Sequence, residues 1–212
     1  MKRVDWKLCL VADVEAAGGK SIISAIEQAI EGGVSLVQLR AKKLKNHEFF
    51  ELGLKVRETT KKKSIPLIIN DRVDIALSCN ADGVHLGQED LSVSHARKIL
   101  GRKKLIGVSV NTKKEAEEAE ERGADYLGVG PIYFTQTKKD IKAPLGAEGL
   151  REIRKRVRIP ILAIGGINAG NAREIIEAGA AGIAVVSAIL SAENIIKAAR
   201  KLNEAIRQAD ND

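Results

Sequence analysis

The sequence predicts an α/β chain folded as a (β/α)8 TIM barrel with a parallel eight-stranded sheet, and three observations predict it. Eight short β-rich runs alternate with amphipathic runs along 212 residues. The units recur about every 25 residues, with no linker or low-complexity segment between them. A phrase also repeats. "EGGVSLVQLR", "ERGADYLGVG" and "EAGAAGIAVV" each pass from an acidic helix end through glycine and small residues into a strand. A rotationally regular fold shows such repetition; a doubly wound open sheet is the alternative. Residues 1–212 read as one barrel domain with the last few residues a frayed tail.

The elements follow in order. "LCLVAD" is a first strand and not the apolar core of a signal peptide, because the run is short and ends in Asp13. "SIISAIEQAIEGG" carries Ile22, Ile23, Ile26 and Ile30 at helical spacing, and Gly32–Gly33 stop it. Strands "LVQLR", "PLIIN", "GVHL" and "LIGVSV" come next. In "NTKKEAEEAEERGA", Lys113–Glu117 and Lys114–Glu118 are spaced for an outer salt-bridged face, with Ala116 and Ala119 turned inward. Thr112 or Asn111 is placed to cap that helix. Strands "YLGVG", "PILAIGG" and "GIAVVS" complete the eight. A last helix runs from Ser191 to about Arg207, with Ile195, Ala198, Ala199 and Leu202 on one side.

Composition narrows the function. Aromatic residues make up 3%, so the core is aliphatic. No apolar run approaches the ~20 residues of a membrane helix. Cys9 and Cys79 are far apart and show no metal-ligand spacing, which fits a reduced, cytoplasmic protein. The net charge of +7 lies largely in helical tracts such as "RETTKKK" and "REIRKRVR". No aromatic residues interleave these tracts, so nucleic-acid binding lacks support, and a field attracting phosphorylated metabolites fits better.

In a barrel, chemistry sits at the C-terminal ends of the strands. There Gln38, Arg40 and Lys42 alternate along one face, with Val37, Leu39 and Ala41 on the other. Two positive charges at the barrel mouth are costly unless an anion meets them. Asn70 and Asp71 end the third strand, and Gln88, Glu89 and Asp90 follow the fourth. Asp71 and Asp90 could converge on one Mg²⁺, although Asp71 is also placed to cap the helix that follows. His85, inside the fourth strand, reads as structural or pocket-lining. Ser109 serves either a ligand or a cap.

The stretch "GVGPIYFTQTKKD" then opens a loop without secondary-structure signal from Pro131 to about Leu145. Thr135, Thr137 and Lys138 offer two hydroxyls and a cation. Gly165 and Gly166 allow close approach to the backbone, or simply make a turn, and Ser187 opens a small-residue segment. Loops seven and eight of a barrel commonly hold a phosphate. Two anion sites over one barrel mouth suggest a condensation, and no arrangement for covalent catalysis is evident.

Together, "QLRAK", "INDRVDIAL", "ADGVHLGQEDL", "IGVSVNT", "ADYLGVGPIYFTQTKKD", "PLG", "AIGGIN" and "VVSAI" closely resemble the thiamine phosphate synthase (thiamine-phosphate pyrophosphorylase) family over nearly the whole chain. The resemblance implies a Mg²⁺-assisted transferase of thiamine biosynthesis. It would join 4-amino-5-hydroxymethyl-2-methylpyrimidine diphosphate to 4-methyl-5-(2-phosphoethyl)thiazole in a dissociative displacement, releasing pyrophosphate. By that resemblance Gln38, Arg40, Lys42 and Asn70 hold the pyrimidine diphosphate, and Asp71 and Asp90 ligate Mg²⁺. Ser109 and Lys138 contact the diphosphate. Thr135, Thr137, Gly166 and the backbone of Val186 and Ser187 hold the thiazole phosphate. Arg40, Lys42, Lys138 and Ser109 are the expected catalytic set. The rivals are a thiazole tautomerase-like isomerase on the same barrel and a non-catalytic phosphate-ligand binding protein. The full charged set favours the synthase. The expected partners are small phosphorylated substrates, with neither nucleic acid nor membrane, and a homo-oligomer is left open.

Overall fold

A computed structural model describes residues 4–135 and 143–210. Eight parallel strands close a barrel in sequence order: β1 (Leu8–Asp13), β2 (Leu36–Arg40), β3 (Leu67–Asn70), β4 (Gly83–Leu86), β5 (Leu105–Val110), β6 (Tyr126–Val129), β7 (Ile161–Ile164) and β8 (Gly182–Val185). The pairing of β1 with β8 closes the ring and settles the choice against an open sheet.

The helices alternate with the strands: α1 (Ile22–Glu31), α2 (Asn46–Lys62), α3 (Val73–Ser78), α4 (Val93–Leu100), α5 (Lys113–Glu121), α6 (Gly146–Arg154), α7 (Ala172–Glu177), α8 (Ser187–Leu190) and α9 (Ile195–Asp210). The sequence reading placed one last helix from Ser191 to about Arg207 and no helix between it and β8. The structure instead forms one short turn immediately after β8 and a separate terminal helix.

Side chains alternate across each strand, and this period builds two cores. The outer positions Leu8, Leu10, Val37, Leu39, Ile69 and Leu127 pack under the helices. The inner positions Cys9, Val11, Leu36, Ile68, Leu105, Tyr126, Leu162 and Ala184 fill the barrel. One step further along the same inner faces come Asp13, Gln38, Arg40, Asn70, His85 and Ser109. The barrel is therefore apolar at its base and polar at its mouth.

One copy of the repeated phrase, "ERGADYLGVG", has a structural counterpart at the base in Asp125, and Asp82 before β4 makes the same contacts. Asp82 accepts from the Leu67 amide at 2.8 Å and from Arg57 at 2.6 Å. Asp125 accepts from the Ile106 amide at 2.7 Å and from Arg97 at 2.6 Å. Each acidic residue at the entry to a strand thus ties the start of the preceding strand to the helix before it. Thr112 caps α5 in a capping box with Glu115. The expected Lys114–Glu118 pair forms at 3.9 Å, but Lys113 turns away from Glu117 and meets Glu152 on α6 at 2.8 Å. Cys9 and Cys79 are buried free thiols.

Candidate active site

Two cavities open at the mouth and share a wall. The inner one, about 50 Å³, is lined by Gln38, Arg40, Asn70, His85, Ser109 and Val186, above Tyr126 and apolar side chains. The outer cleft, about 650 Å³, is lined by Glu15, Phe134, Thr135, Gly166, Ser187 and Ser191. Asp13 and Arg40 line both.

Arg40 does not wait for an external anion, which corrects the expectation that only a ligand could meet its charge. It pairs with Asp13, its register partner on β1, and Glu15 stands 3.9 Å away. Asp13 is 3% exposed and also accepts from the Ala16 amide at 3.0 Å. Asp13 was missed in the sequence as a site residue. The signal was present, since it is the last residue of a strand and shares the parity of the inner positions.

Lys42 lies beyond the end of β2 and bonds Asp71 at 3.3 Å. Asp71 does not cap α3; its own backbone sits at φ 65°, and Arg72 occupies the cap position. Burial and then the adjoining Asp90 carboxylate raise the Asp71 carboxyl above its ordinary range, while Lys42 pulls it down. Asp90 accepts from the Gly87 amide at 2.6 Å. Two carboxylates in contact repel when both are charged, and a divalent cation relieves that repulsion. Among the described residues no cluster of three or more His, Cys, Asp or Glu side chains forms. A pair of carboxylates fits Mg²⁺, which keeps waters and phosphate oxygens as its other ligands.

The far side of the mouth is built by close packing. Gly165 and Gly166 have φ of 103° and 67°. A Cβ on Gly165 would meet the Pro131 Cα at 2.8 Å, and one on Gly166 would meet the Phe134 carbonyl oxygen at 2.6 Å. These glycines let the loop after β6 lie on the loop after β7, and Gly166 also faces the cleft. Tyr133 is held by Glu174 at 2.7 Å, whereas Phe134 is 65% exposed beside the cleft. Of these two neighbouring rings, one is anchored and one is exposed. Val186 precedes α8 and lines the inner cavity; Ser187 begins α8 and lines the outer. Thr137 and Lys138 lie outside the described residues.

A parallel barrel with cationic, carboxylate and hydroxyl groups gathered at its strand ends defines a TIM-barrel enzyme for small phosphorylated substrates. Residues 8–189 match the family model described as thiamine monophosphate synthase, and the chain belongs to that family. It is 49% identical to the thiamine-phosphate synthase of Clostridium novyi, covering 94% of this chain and 98% of the relative. It is 50% identical to that of Chloroflexus aurantiacus, covering 96% and 94%. Among solved structures, the thiamine phosphate pyrophosphorylase of Pyrococcus furiosus superposes with a TM-score of 0.89 at 39% identity, covering 97% of this chain and 98% of that one. Among the described residues, no helix is long and apolar enough to cross a membrane.

Proposed function

We propose that the chain joins 4-amino-5-hydroxymethyl-2-methylpyrimidine diphosphate to 4-methyl-5-(2-phosphoethyl)thiazole, giving thiamine phosphate and pyrophosphate. The observation that carries this reading is the pair of adjoining cavities divided by Arg40 and Asp13 in a member of this family. A condensation needs two ligands side by side, and the inner cavity suits a flat ring with its diphosphate at the rim. The outer cleft, with Thr135, Gly166 and Ser187, suits the thiazole phosphate.

In this reading Gln38 and Asn70 orient the pyrimidine. Arg40, Lys42, Ser109 and Lys138 meet the diphosphate, where negative charge grows as the carbon–oxygen bond breaks. Asp71 and Asp90 would hold Mg²⁺. When bound, the ion supplies Lewis-acid stabilisation to the departing phosphate oxygens. The thiazole nitrogen is the nucleophile, so the protein contributes position and exclusion of water. Thr135, Thr137, Gly166 and the amides of Val186 and Ser187 hold the thiazole phosphate in line.

The test mixes both substrates with the protein, with and without Mg²⁺, and follows pyrophosphate and thiamine phosphate together. Equal release of both with Mg²⁺ is expected. No joined product, or product formed equally well after exhaustive chelation, refutes the reading.

A further inference from the structure

The inner cavity holds a hydrogen-bonded chain that runs across three strands, β4, β5 and β6. In the sheet register, His85 on β4 faces Gly107 on β5, and Gly107 faces Tyr126 on β6. Gly107 is the opening through which the two rings meet. A Cβ there would lie 2.1 Å from the Tyr126 ring and 2.5 Å from its hydroxyl. Gly128 makes similar room for His85, whose Cε1 would lie 2.8 Å from a Cβ at that position. His85 Nδ1 is 3.0 Å from the Tyr126 hydroxyl, and His85 Nε2 is 2.9 Å from Ser109 Oγ. Gln38 on β2 lines the same cavity. Tyr126, His85 and Ser109 therefore form one connected run.

Such a run has a direction. A hydroxyl donates one hydrogen, and a neutral imidazole donates from one nitrogen only. Tyr126 is fully buried, and burial raises its hydroxyl well above its ordinary value, so it keeps its proton. If that proton is donated along the run, the tyrosine hydrogen points to His85 Nδ1. His85 then carries its hydrogen on Nε2 and donates it to Ser109 Oγ. The Ser109 hydrogen is left to point out of the run. In the opposite sense, Ser109 gives its hydrogen to His85 and turns only lone pairs outward.

We propose that His85 and Tyr126 are positioning residues that fix this run in the first sense. Ser109 then meets the diphosphate as a donor. The proposal rests on the reading that the pyrimidine diphosphate occupies the inner cavity. An anion needs a donor. The first sense supplies one at Ser109, and the reverse does not.

The experiment has two readouts. Nitrogen-15 spectra of histidine-labelled protein near neutral pH report the imidazole form directly, with the His85 signals assigned by their loss in His85→Gln. A neutral ring with the proton on Nε2 is expected; a proton on Nδ1, or a cationic ring, overturns the proposal. In Tyr126→Phe, the ring loses the donor that holds its Nδ1 bare, and a mixture of tautomers is expected. The same variant should lose about tenfold or more in kcat/KM for the pyrimidine diphosphate, the size of one buried hydrogen bond, with little change in KM for the thiazole phosphate. Equal losses for both substrates, or no loss, overturn it. Ser109→Ala provides a second route that leaves both rings intact. If Tyr126 acts through Ser109, the double variant loses less than the product of the single losses; independent losses count against the proposal. Should the wild-type protein form no thiamine phosphate, the assigned reaction fails, and the imidazole spectrum still decides the sense of the run.

Discussion

Arg40 and Asp13 face each other in register on β2 and β1, and their ion pair stands in the wall between the two cavities. The pair explains how a guanidinium is tolerated at the mouth before substrate arrives. It also fixes where the guanidinium points, because Asp13 is itself held by the Ala16 amide. With Glu15 nearby, the local field is less positive than Arg40 and Lys42 alone would make it. Under the proposed function, Arg40 orients the diphosphate at least as much as it attracts it.

The first prediction follows from that pair. Asp13→Asn keeps the shape but removes the charge, leaving Arg40 partly buried without its partner. Breaking such a pair costs roughly 3 kcal/mol in folding stability, seen as a lower midpoint in urea. At temperatures where the variant is folded, kcat should fall more than tenfold, because the guanidinium loses its fixed direction. A variant with wild-type kcat would show that Asp13 only balances charge.

The carboxylate pair gives the second prediction. Asp71 sits between Lys42 and Asp90, and Asp90 is anchored to the Gly87 amide. Asp71→Asn and Asp90→Asn should each weaken Mg²⁺ binding about tenfold or more, as loss of a charged ligand does. Calorimetric titration of Mg²⁺ in the presence of pyrophosphate measures this independently of turnover. Unchanged affinity in both variants would remove these residues from the metal site.

Much of this was legible in the sequence, and the gaps have a common cause. Strand positions and the barrel could be read because apolar runs and helical runs differ in period, and eight units spaced evenly admit few closed arrangements. Gln38, Arg40 and Lys42 could be read as one set because they alternate, although β2 ends at Arg40 and Lys42 is carried onward to Asp71. What could not be read were partnerships between strands. Nothing local in "LVAD" marks Asp13 as the mate of Arg40. Nothing local in "YLGVG" marks Tyr126 as the partner of His85. Both depend on register between strands, which the periodicity of a single strand leaves open. Gly165 and Gly166 illustrate the same point, since the reason for their missing side chains is a neighbouring loop.

The third prediction concerns alkaline pH. Burial pushes the Cys9 thiol from 9.0 up to about 12, against a smaller opposing effect from the Gln38 backbone. Between pH 9 and pH 12 the unfolded chain releases this proton while the native barrel retains it. Native stability is therefore fully present below pH 9 and is lost as pH rises towards 12. The thiol's share approaches tenfold in the folding constant per pH unit. Cys9→Ala should flatten the alkaline slope of the urea midpoint, leaving the part due to Tyr126, which is also raised by burial. Parallel slopes in the two proteins would show that the thiol is not the titrating group.

The last prediction separates the base of the barrel from its mouth. Asp125 accepts from the Ile106 amide and from Arg97, and Asp82 does the same for Leu67 and Arg57. Removing either carboxylate strands a strand-end amide and an arginine together. Asp125→Ala and Asp82→Ala should therefore each lower unfolding stability by about 1–3 kcal/mol. Neither residue lines a cavity at the mouth, so kcat and both KM values of the folded variants should match the wild type. The two sites join different pairs of strands and share no partner, so the double variant should show the sum of the single losses. A loss well below that sum would mean that the two ties hold the ring as one unit. A fall in kcat without a fall in stability would mean that strain at the base reaches the mouth.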